Sequence, residues 1–203
     1  ELRNPLGVVL NSLFMLRRTV GDPEAAEPHL AMAERHTERA VGLAQDLTSY
    51  MREREPHPEP VDLKVALSEV LETIDRPTGV EVVDDVSALL LEADTQQLAQ
   101  IFTNLVSNAY EAMPEGGVLR VSSRTEDGSV VMAFEDSGDG IDDELRERLF
   151  EPFVTTKSEG TGLGLAIVRR LAEAHGGTVS IENGTDRGAV VSVVLPLRSP
   201  VEP

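Results

Sequence analysis

Cysteine and tryptophan are absent from the 203-residue sequence, and only 3% of its residues are aromatic. Without cysteine the chain has neither disulfides nor Cys-based zinc or iron–sulfur sites, and thiol catalysis is excluded. The four histidines, His29, His36, His57 and His175, are scattered without the spacing of metal ligands. No apolar run reaches the roughly 18 residues that span a bilayer, and no signal peptide is recognisable.

Basic residues are also scarce. The sequence has 18 Lys+Arg against 36 Asp+Glu, a formal net charge of −18, which argues against binding to duplex DNA or to an anionic membrane. Residues 1–55 carry a net charge of only −2 and residues 56–203 a net charge of −16. Three prolines within residues 56–60 predict a linker, because a helix cannot continue through them. We therefore expect a hairpin domain over 1–55, a second domain over 61–198 and a tail over 199–203.

The first region has the pattern of two amphipathic helices. Over residues 1–20 the apolar positions share one face: Leu2, Leu6, Val9, Leu10, Leu13, Leu16 and Val20. A second helix, predicted over 28–52, has apolar or small residues at spacings of three and four: Leu30, Ala33, Thr37, Ala40, Ala44, Leu47 and Met51. Two helices cannot bury both stripes against each other alone, so we expect a four-helix bundle made by two copies of the chain. The alternative is that the hairpin folds back on the second region.

In the second region, predicted helices alternate with pairs of short strands. The helices are predicted at 61–74, from a cap at Asp94 to 113, and within 160–176. The strands are predicted at 80–83, 89–92, 118–123, 130–135, 178–182 and 189–195. This order favours an α+β sandwich in which helices cover one face of a mixed sheet.

The first polar cluster of this region is a pair of asparagines. Asn104 and Asn108 are four residues apart, so they lie on one helical face beside apolar residues. Their amide oxygens are suitable ligands for a hard cation such as the Mg²⁺ of a nucleotide. The alternative is a pair of solvated or capping amides.

The second cluster combines a carboxylate with glycines at a strand end. Asp136 is followed by Gly138 and Gly140, which lets a fixed acceptor and bare backbone approach a flat ligand such as adenine. A calcium-like turn or an ordinary hairpin loop has the same pattern.

Two further clusters follow at residues 150–159 and 160–168. In the first, Phe150 and Phe153 precede a polar stretch that contains Lys157, one of only two lysines. The alternative for Lys157 is a solvated surface charge without a functional role. In the second, glycines at 160, 162 and 164 lead directly into a helix and offer backbone N–H groups to a phosphate. The spacing matches neither a Walker loop nor a dinucleotide fingerprint, and a plain glycine-rich helix start is the alternative.

Taken in order, the four clusters resemble the N, G1, F and G2 boxes of the ATP-binding domain of bacterial sensor histidine kinases, members of the GHKL ATPase superfamily. The resemblance implies a Bergerat-type α/β sandwich, ATP and Mg²⁺ as ligands, and a flexible ATP lid over residues 154–159. By position, Asn108 resembles the Mg²⁺ ligand, Asn104 a support for the phosphates and metal, and Asp136 the contact to adenine N6. Gly138 and Gly140 resemble the glycines that shape the adenine pocket. The residues that the resemblance places by the phosphates are Lys157, Thr161, Gly162, Leu163 and Gly164.

The start of the chain resembles the H box of the dimerisation and histidine-phosphotransfer domain. Residues 1–6 match that box from its glutamate onward, so the phosphoaccepting histidine is expected just before Glu1 and is absent from these 203 residues. The resemblance implies that Glu1 takes a proton from that imidazole and that Asn4 orients water when a regulator is dephosphorylated. The alternative for both is an exposed helix face.

The resemblance as a whole implies a sensor histidine kinase core. Such a core binds Mg-ATP, phosphorylates the histidine and relays the phosphoryl group to an aspartate of a response-regulator receiver domain, with regulator phosphatase activity. Asn104 stands where ATP-hydrolysing relatives carry Glu, which implies slow hydrolysis. We expect a cytoplasmic homodimer that contacts neither nucleic acid nor membrane, and whose 203 residues cannot autophosphorylate. The alternatives are a non-catalytic dimeric scaffold and an anti-sigma-factor serine kinase, which lacks the H-box hairpin.

Overall fold

The computed structural model describes residues 3–19, 21–51, 55–142, 144–155, 157 and 160–197. The chain divides into two compact units. The first consists of Glu1–Glu53 with Lys157–Thr161, and the second of Arg54–Thr156 with Gly162–Pro203. Among the helices in the described ranges, none combines the length and the apolarity that a membrane crossing requires.

The first unit contains two long helices, α1 (Arg3–Arg18) and α2 (Pro23–Met51). Asp22 caps the second helix, since its Oδ1 accepts a hydrogen bond from the Ala25 N–H at 3.1 Å. Pro23 suits the first helical position because its missing N–H has no partner there in any helix. The predicted start of this helix at 28 is therefore wrong. Pro28 lies inside the helix and does not mark its start.

Each helix of the first unit has a covered side and a set of exposed apolar side chains. The side of α1 that is covered includes the buried residues Pro5 and Ser12, whereas a second set of apolar side chains is exposed: Leu6, Leu10, Leu13 and Phe14. The seam predicted for α2 is divided in the same way. Ala33 and Ala40 are buried, while Leu30 is 43% and Met51 is 73% exposed. An apolar stripe on each helix is thus left uncovered.

The second unit is built on two sheets. A small antiparallel pair joins β1 (Glu59–Asp62) to β3 (Leu90–Ala93). The main sheet has the order β2-β4-β5-β7-β6, in which β2 and β4 are parallel and the other pairs are antiparallel. Its strands are β2 (Val80–Asp85), β4 (Gly117–Glu126), β5 (Ser129–Asp136), β6 (Thr178–Asn183) and β7 (Ala189–Pro196). The helices are α3 (Leu63–Thr73), α4 (Thr95–Glu111) and α5 (Gly164–Ala174), with a 3-10 helix at Arg146–Phe150. The predicted α+β class with a mixed sheet is confirmed.

The hydrophobic core lies between the helices and one face of the main sheet. Strand β7 alternates buried and half-buried residues along its whole length, the pattern of a strand with one face covered. From α4, Leu98, Ile101 and Phe102 are fully buried, and the ring of Phe102 lies 5.9 Å from that of Phe134 on β5. Burial of an apolar side chain of this size stabilises the fold by roughly 1.5–3 kcal/mol, so this face holds α4 firmly.

Two predictions about the start of the second unit are wrong. Residues 61 and 62 were predicted to be helical but belong to β1, where Val61 pairs with Leu91. The helix begins at Leu63 because Asp62 caps it, its Oδ1 accepting from the Lys64 N–H at 2.9 Å. The strands predicted at 80–83 and 89–92 do not pair with each other, since each belongs to a different sheet. A short apolar run has no periodicity long enough to distinguish a strand from a helical turn.

The predicted cap at Asp94 is confirmed and forms part of a buried network. One carboxylate oxygen accepts from two amides of the first turn of α4, and the other accepts from the His57 N–H at 3.1 Å. The Asp94 N–H donates to Nε2 of His175 at 3.1 Å, and Nδ1 of the same ring lies 2.8 Å from the Leu171 carbonyl. Both bonds form together only when Nδ1 carries the proton. His175 thereby joins the end of α5 to the start of α4.

Candidate functional site

Helix α4 presents Asn104 and Asn108 on one face, where both side chains are half-buried. Nδ2 of Asn104 donates to the Gln100 carbonyl at 2.8 Å, which fixes the orientation of the amide. A Cβ added to Gly164 would lie 3.2 Å from Asn104 Oδ1 and 3.5 Å from Asn108 Nδ2. The asparagine pair and the first residue of α5 therefore border the same space.

The start of α5 has no side-chain cap. Its N-cap residue is Leu163, which is buried and carries no hydrogen-bonding side chain. The first N–H groups of a helix have no acceptor within the helix, and the helix dipole adds a partial positive charge there. An anion beside Gly164 would thus have backbone donors on one side and the amides of Asn104 and Asn108 on the other.

The backbone of Phe153 packs against the glycine cluster. The Phe153 N–H donates to the Gly162 carbonyl at 2.9 Å, and a Cβ on Gly162 would lie 2.5 Å from the Phe153 carbonyl carbon. Gly162 has φ +65, a backbone conformation that residues other than glycine rarely adopt. This position therefore requires glycine, and it joins the segment around Phe153 to the start of α5.

Asp136 ends β5 and is only 8% exposed. Its Oδ1 accepts hydrogen bonds from the Gly138 N–H at 2.8 Å and the Ala189 N–H at 3.3 Å. A Cβ on Gly138 would lie 2.6 Å from the Ala112 carbonyl oxygen, so only glycine allows the loop this close to the end of α4. The carboxylate is thereby held in one orientation beside a stretch of bare backbone, as an acceptor for a ligand donor requires.

The turn between β6 and β7 touches the loop that follows Asp136, a contact that the sequence did not predict. A Cβ on Gly140 would lie 2.9 Å from Asn183 Oδ1, and Arg187 donates to the Gly138 carbonyl at 3.1 Å. Asparagine and glycine at residues 183–188 are ordinary turn residues, so their pattern carries no signal of a contact more than 40 residues away.

The remaining predicted residues belong to the first unit or lie outside the described residues. Lys157 and Thr161 belong to the first unit, in which Thr161 Oγ1 donates to Asp46 Oδ2 at 3.0 Å. Asn4 is exposed on α1. Glu1 lies outside the described residues, as does part of the predicted lid at positions 156, 158 and 159. Within the described ranges, no group of three or more His, Asp or Glu side chains is arranged to hold a metal ion.

One ionisable group at the end of α4 is perturbed. Burial raises the pKa of Tyr110, and the nearby positive charge of Arg76 opposes that rise. The phenol is therefore neutral at physiological pH.

Comparison with known proteins agrees with this geometry. Residues 93–199 match the family described as histidine kinase-, DNA gyrase B-, and HSP90-like ATPase. The sensor histidine kinase ZraS of Klebsiella oxytoca is 31% identical over 97% of this chain, which spans 44% of the ZraS length. The signal transduction histidine-protein kinase AtoS of Escherichia coli is also 31% identical over 97% of the chain, which spans 33% of AtoS. The chain thus spans less than half the length of these curated relatives.

A solved structure extends the comparison to the whole chain. The crystal structure of histidine kinase ThkA in complex with response regulator protein TrrA matches with a TM-score of 0.85 and 27% identity, covering 100% of this chain and 60% of that one. The family match includes Asn104, Asn108, Asp136 and the glycines that precede α5. The chain belongs to the histidine kinase-, DNA gyrase B- and HSP90-like ATPases and is similar over nearly its whole length to sensor histidine kinases.

Proposed function

We propose that the chain binds Mg-ATP and forms the catalytic core of a longer sensor histidine kinase. The observation that carries this proposal is the meeting of Asn104 and Asn108 with the first residue of α5. One side of that space offers amide oxygens and the other offers backbone N–H groups, the donor set that a metal-bound triphosphate needs.

The residues suit each part of the nucleotide. Asn108 would hold Mg²⁺ through its amide oxygen, with Asn104 beside it, and the ion supplies positive charge that neutralises the phosphates. Gly162, Leu163 and Gly164 would give the phosphates their backbone contacts. At the other end of the site, Asp136 is a buried acceptor for the adenine 6-amino group, with Gly138 and Gly140 leaving space for the base.

We also propose that Lys157 and Thr161 contact the phosphates, as the sequence motifs predict. A lysine ammonium supplies a positive charge. The Thr161 hydroxyl, which donates to Asp46 in this structure, would donate to a phosphate after exchanging that partner. The domain is strongly acidic, so a cation close to the phosphates would offset repulsion that the rest of its surface creates.

The reaction we propose is phosphoryl transfer to a histidine. The bond between the γ-phosphorus and the β–γ bridging oxygen breaks, a phosphorus–nitrogen bond forms on the imidazole, and ADP leaves. Such transfer depends mostly on positioning and charge stabilisation, which Asn104, Asn108 and the α5 amides provide. An asparagine side chain has no basic group at physiological pH, so Asn104 cannot activate water and net hydrolysis is slow.

The acceptor histidine in this proposal directly precedes Glu1, which takes a proton from its imidazole. The four histidines of the chain are unsuited to the role. His175 is buried with both ring nitrogens engaged, and Nδ1 of His36 is buried. His29 and His57 lie outside any H-box context. Incubated with γ-labelled ATP, the 203-residue chain is expected to remain unlabelled, and acid-labile label on any of the four would contradict the proposal.

The partners we propose are a second copy of the chain and the receiver domain of a response regulator. The exposed apolar stripe of the first unit is a surface that a four-helix bundle of two chains would bury. The regulator is suggested by the similar kinase ThkA, whose structure includes a response regulator. Asn4 is exposed on α1, and its proposed role is to orient water when a docked regulator is dephosphorylated. We place this part of the protein in the cytoplasm, where ATP is available.

Asp136→Asn tests the adenine assignment. The variant keeps Oδ1 for the two backbone amides but replaces the other carboxylate oxygen by an NH₂ group, which repels the 6-amino group of adenine. We expect ATP affinity to fall at least about tenfold, because a charge-assisted hydrogen bond is replaced by two opposed donors. Unchanged ATP affinity would contradict the assignment.

A further inference from the structure

The loop after Asp136 is held by a side chain from another part of the chain. The Ile141 N–H donates to Asn183 Oδ1 at 2.8 Å, and Asn183 Nδ2 donates to the Ile141 carbonyl at 3.0 Å. The carboxamide at the end of β6 therefore pairs with the main chain of Ile141 much as a neighbouring strand would. Only one orientation of the amide satisfies both bonds, so the pairing is specific for asparagine.

Arg187 holds the same loop at Gly138, three residues nearer to Asp136 than Ile141 is. Its Nε donates to the Gly138 carbonyl at 3.1 Å, and its Nη2 lies 3.4 Å from Asp139 Oδ1. Gly138 is the residue whose N–H binds the Asp136 carboxylate. The guanidinium therefore acts on the peptide unit next to the one that orients the acceptor.

The backbone of the same turn reaches Asp136 itself. Ala189 N–H is the second donor to Asp136 Oδ1, at 3.3 Å, and Gly188 lies so close to the Asp136 carbonyl that a side chain there would overlap it. The turn is closed by a hydrogen bond from the Gly184 N–H to the Gly188 carbonyl at 2.9 Å. Side chains and backbone of residues 183–189 thus meet the loop 136–141 at several independent points.

We infer that Asn183 and Arg187 are positioning residues for base selection: they hold the loop 136–141 so that Asp136 accepts a hydrogen bond from the 6-amino group of an adenine nucleotide. The inference rests on the proposed function, since it assigns to the β6–β7 turn a part in the same site. Neither side chain needs to touch the nucleotide. Each acts through a main-chain group of the loop, Asn183 on Ile141 and Arg187 on Gly138.

The two possible roles of these contacts differ in a measurable way. If the turn merely stabilises the fold, losing a contact weakens the binding of every nucleotide alike. If it positions Asp136, the loss falls on nucleotides that carry the 6-amino group. Inosine triphosphate has a carbonyl at that place and a hydrogen on the neighbouring N1, and it shares the ribose and triphosphate with ATP. The ratio of ATP to ITP affinity therefore reports on recognition of this edge of the base, which includes the Asp136 contact.

The experiment measures ATP and ITP affinities of the 203-residue chain in Mg²⁺ buffer for Asn183→Ala, Arg187→Ala and Asp136→Asn, with melting temperatures for each. Asp186→Ala is the matched control, because Asp186 is an exposed residue of the same turn outside these contacts. We expect the ATP/ITP affinity ratio to fall about 3- to 10-fold in each positioning variant, as loss of one or two net hydrogen bonds implies. The ratio should stay unchanged in Asp186→Ala. It should fall to one or below in Asp136→Asn, because the new NH₂ group opposes the adenine 6-amino group and can donate to the inosine carbonyl.

Two conservative variants keep the test valid if an alanine variant is unstable. Asn183→Asp retains the acceptor for the Ile141 N–H and should lower the ratio less than alanine does. Arg187→Lys retains the charge without the fixed Nε–H and should lower the ratio as alanine does. A wild-type ratio in Asn183→Ala and Arg187→Ala, alongside a collapsed ratio in Asp136→Asn, would overturn the inference and leave the proposed function standing. An unchanged ratio in Asp136→Asn would instead overturn both.

Discussion

Gly164→Ala is expected to separate nucleotide binding from stability. Gly164 is the first residue of α5 and is not among the glycines with positive φ, so alanine can adopt its backbone conformation. The added Cβ would lie 3.2 Å from Asn104 Oδ1, 3.5 Å from Asn108 Nδ2 and 3.7 Å from Asn108 Oδ1. It would therefore occupy the space between α5 and the two amides, where we propose that the phosphates and Mg²⁺ bind.

The two effects on stability nearly cancel. Alanine is favoured over glycine in a helix by about 0.4–1 kcal/mol, chiefly because it restricts the unfolded chain. Against this, a 3.2 Å contact requires the end of the Asn104 side chain to move by a few tenths of an ångström, which strains its bond to Gln100. We expect the free energy of unfolding to change by less than about 1 kcal/mol. Nucleotide affinity should fall at least tenfold, a loss of about 1.4 kcal/mol.

The assay pairs calorimetric titration with Mg-ATP and thermal unfolding of the same samples. Gly162→Ala is the contrasting variant, because its Cβ would lie 2.5 Å from the backbone of Phe153 and its φ is +65. The backbone there cannot move aside as a side-chain end can, so this variant should lose about 1–3 kcal/mol of stability. Wild-type ATP affinity in Gly164→Ala would refute the reasoning. Equal melting temperatures in the two variants would contradict the distinction between them.

Three further predictions concern other parts of the chain. His175→Ala should lower the free energy of unfolding by about 1–3 kcal/mol, because it removes the ring that accepts from the buried Asp94 N–H. The Leu171 carbonyl loses the ring donor but keeps the backbone N–H of residue 175. Denaturant titration measures the loss, and His57→Ala, which removes an exposed ring, is the control. Burial raises the pKa of Tyr110, so the neutral phenol stabilises the folded state. That stabilisation is fully present below the unfolded-state pKa near 10.0 and is lost as the pH rises through the folded-state pKa. Tyr110→Phe should therefore reduce the loss of stability between about pH 9 and 11, and an identical alkaline profile would count against this cause. If the proposed dimer forms through the apolar stripe, Leu10→Glu should shift it to monomer in sedimentation measurements, because Leu10 is 69% exposed on that stripe. Asn11→Glu adds the same charge at an exposed position on another face of α1 and should leave the proposed dimer intact.

The helices and strands of the second unit were largely predictable, because capping residues and periodic apolar patterns in the sequence match the boundaries and the buried faces of the structure. Asp94 as a cap, the helix that carries Asn104 and the strand that ends at Asp136 all appear where the pattern placed them. In each case a turn or capping residue marks the boundary and a periodic apolar pattern marks the element. Where a proline stood near a boundary the prediction was less accurate, as the start of α2 at Pro23 shows.

What the sequence could not indicate was which distant segments meet. The parallel pairing of β2 with β4 and the separate sheet of β1 and β3 depend on tertiary packing that local patterns do not encode. The same holds for His175 with Asp94 and for Asn183 with Ile141, which join residues 81 and 42 positions apart. Each of these side chains belongs to a residue type that is common at turns and helix ends, so its long-range partner leaves no mark in the local sequence.

The proposal that Asn104, Asn108 and the start of α5 bind Mg-ATP is tested most directly by the dependence of ATP binding on Mg²⁺. Wild-type chain titrated with ATP should bind at least tenfold more weakly in EDTA than in Mg²⁺. Asn108→Ala should bind ATP weakly in both buffers, because the amide oxygen that holds the ion is gone. Wild-type affinity and wild-type Mg²⁺ dependence in Asn108→Ala would contradict the account.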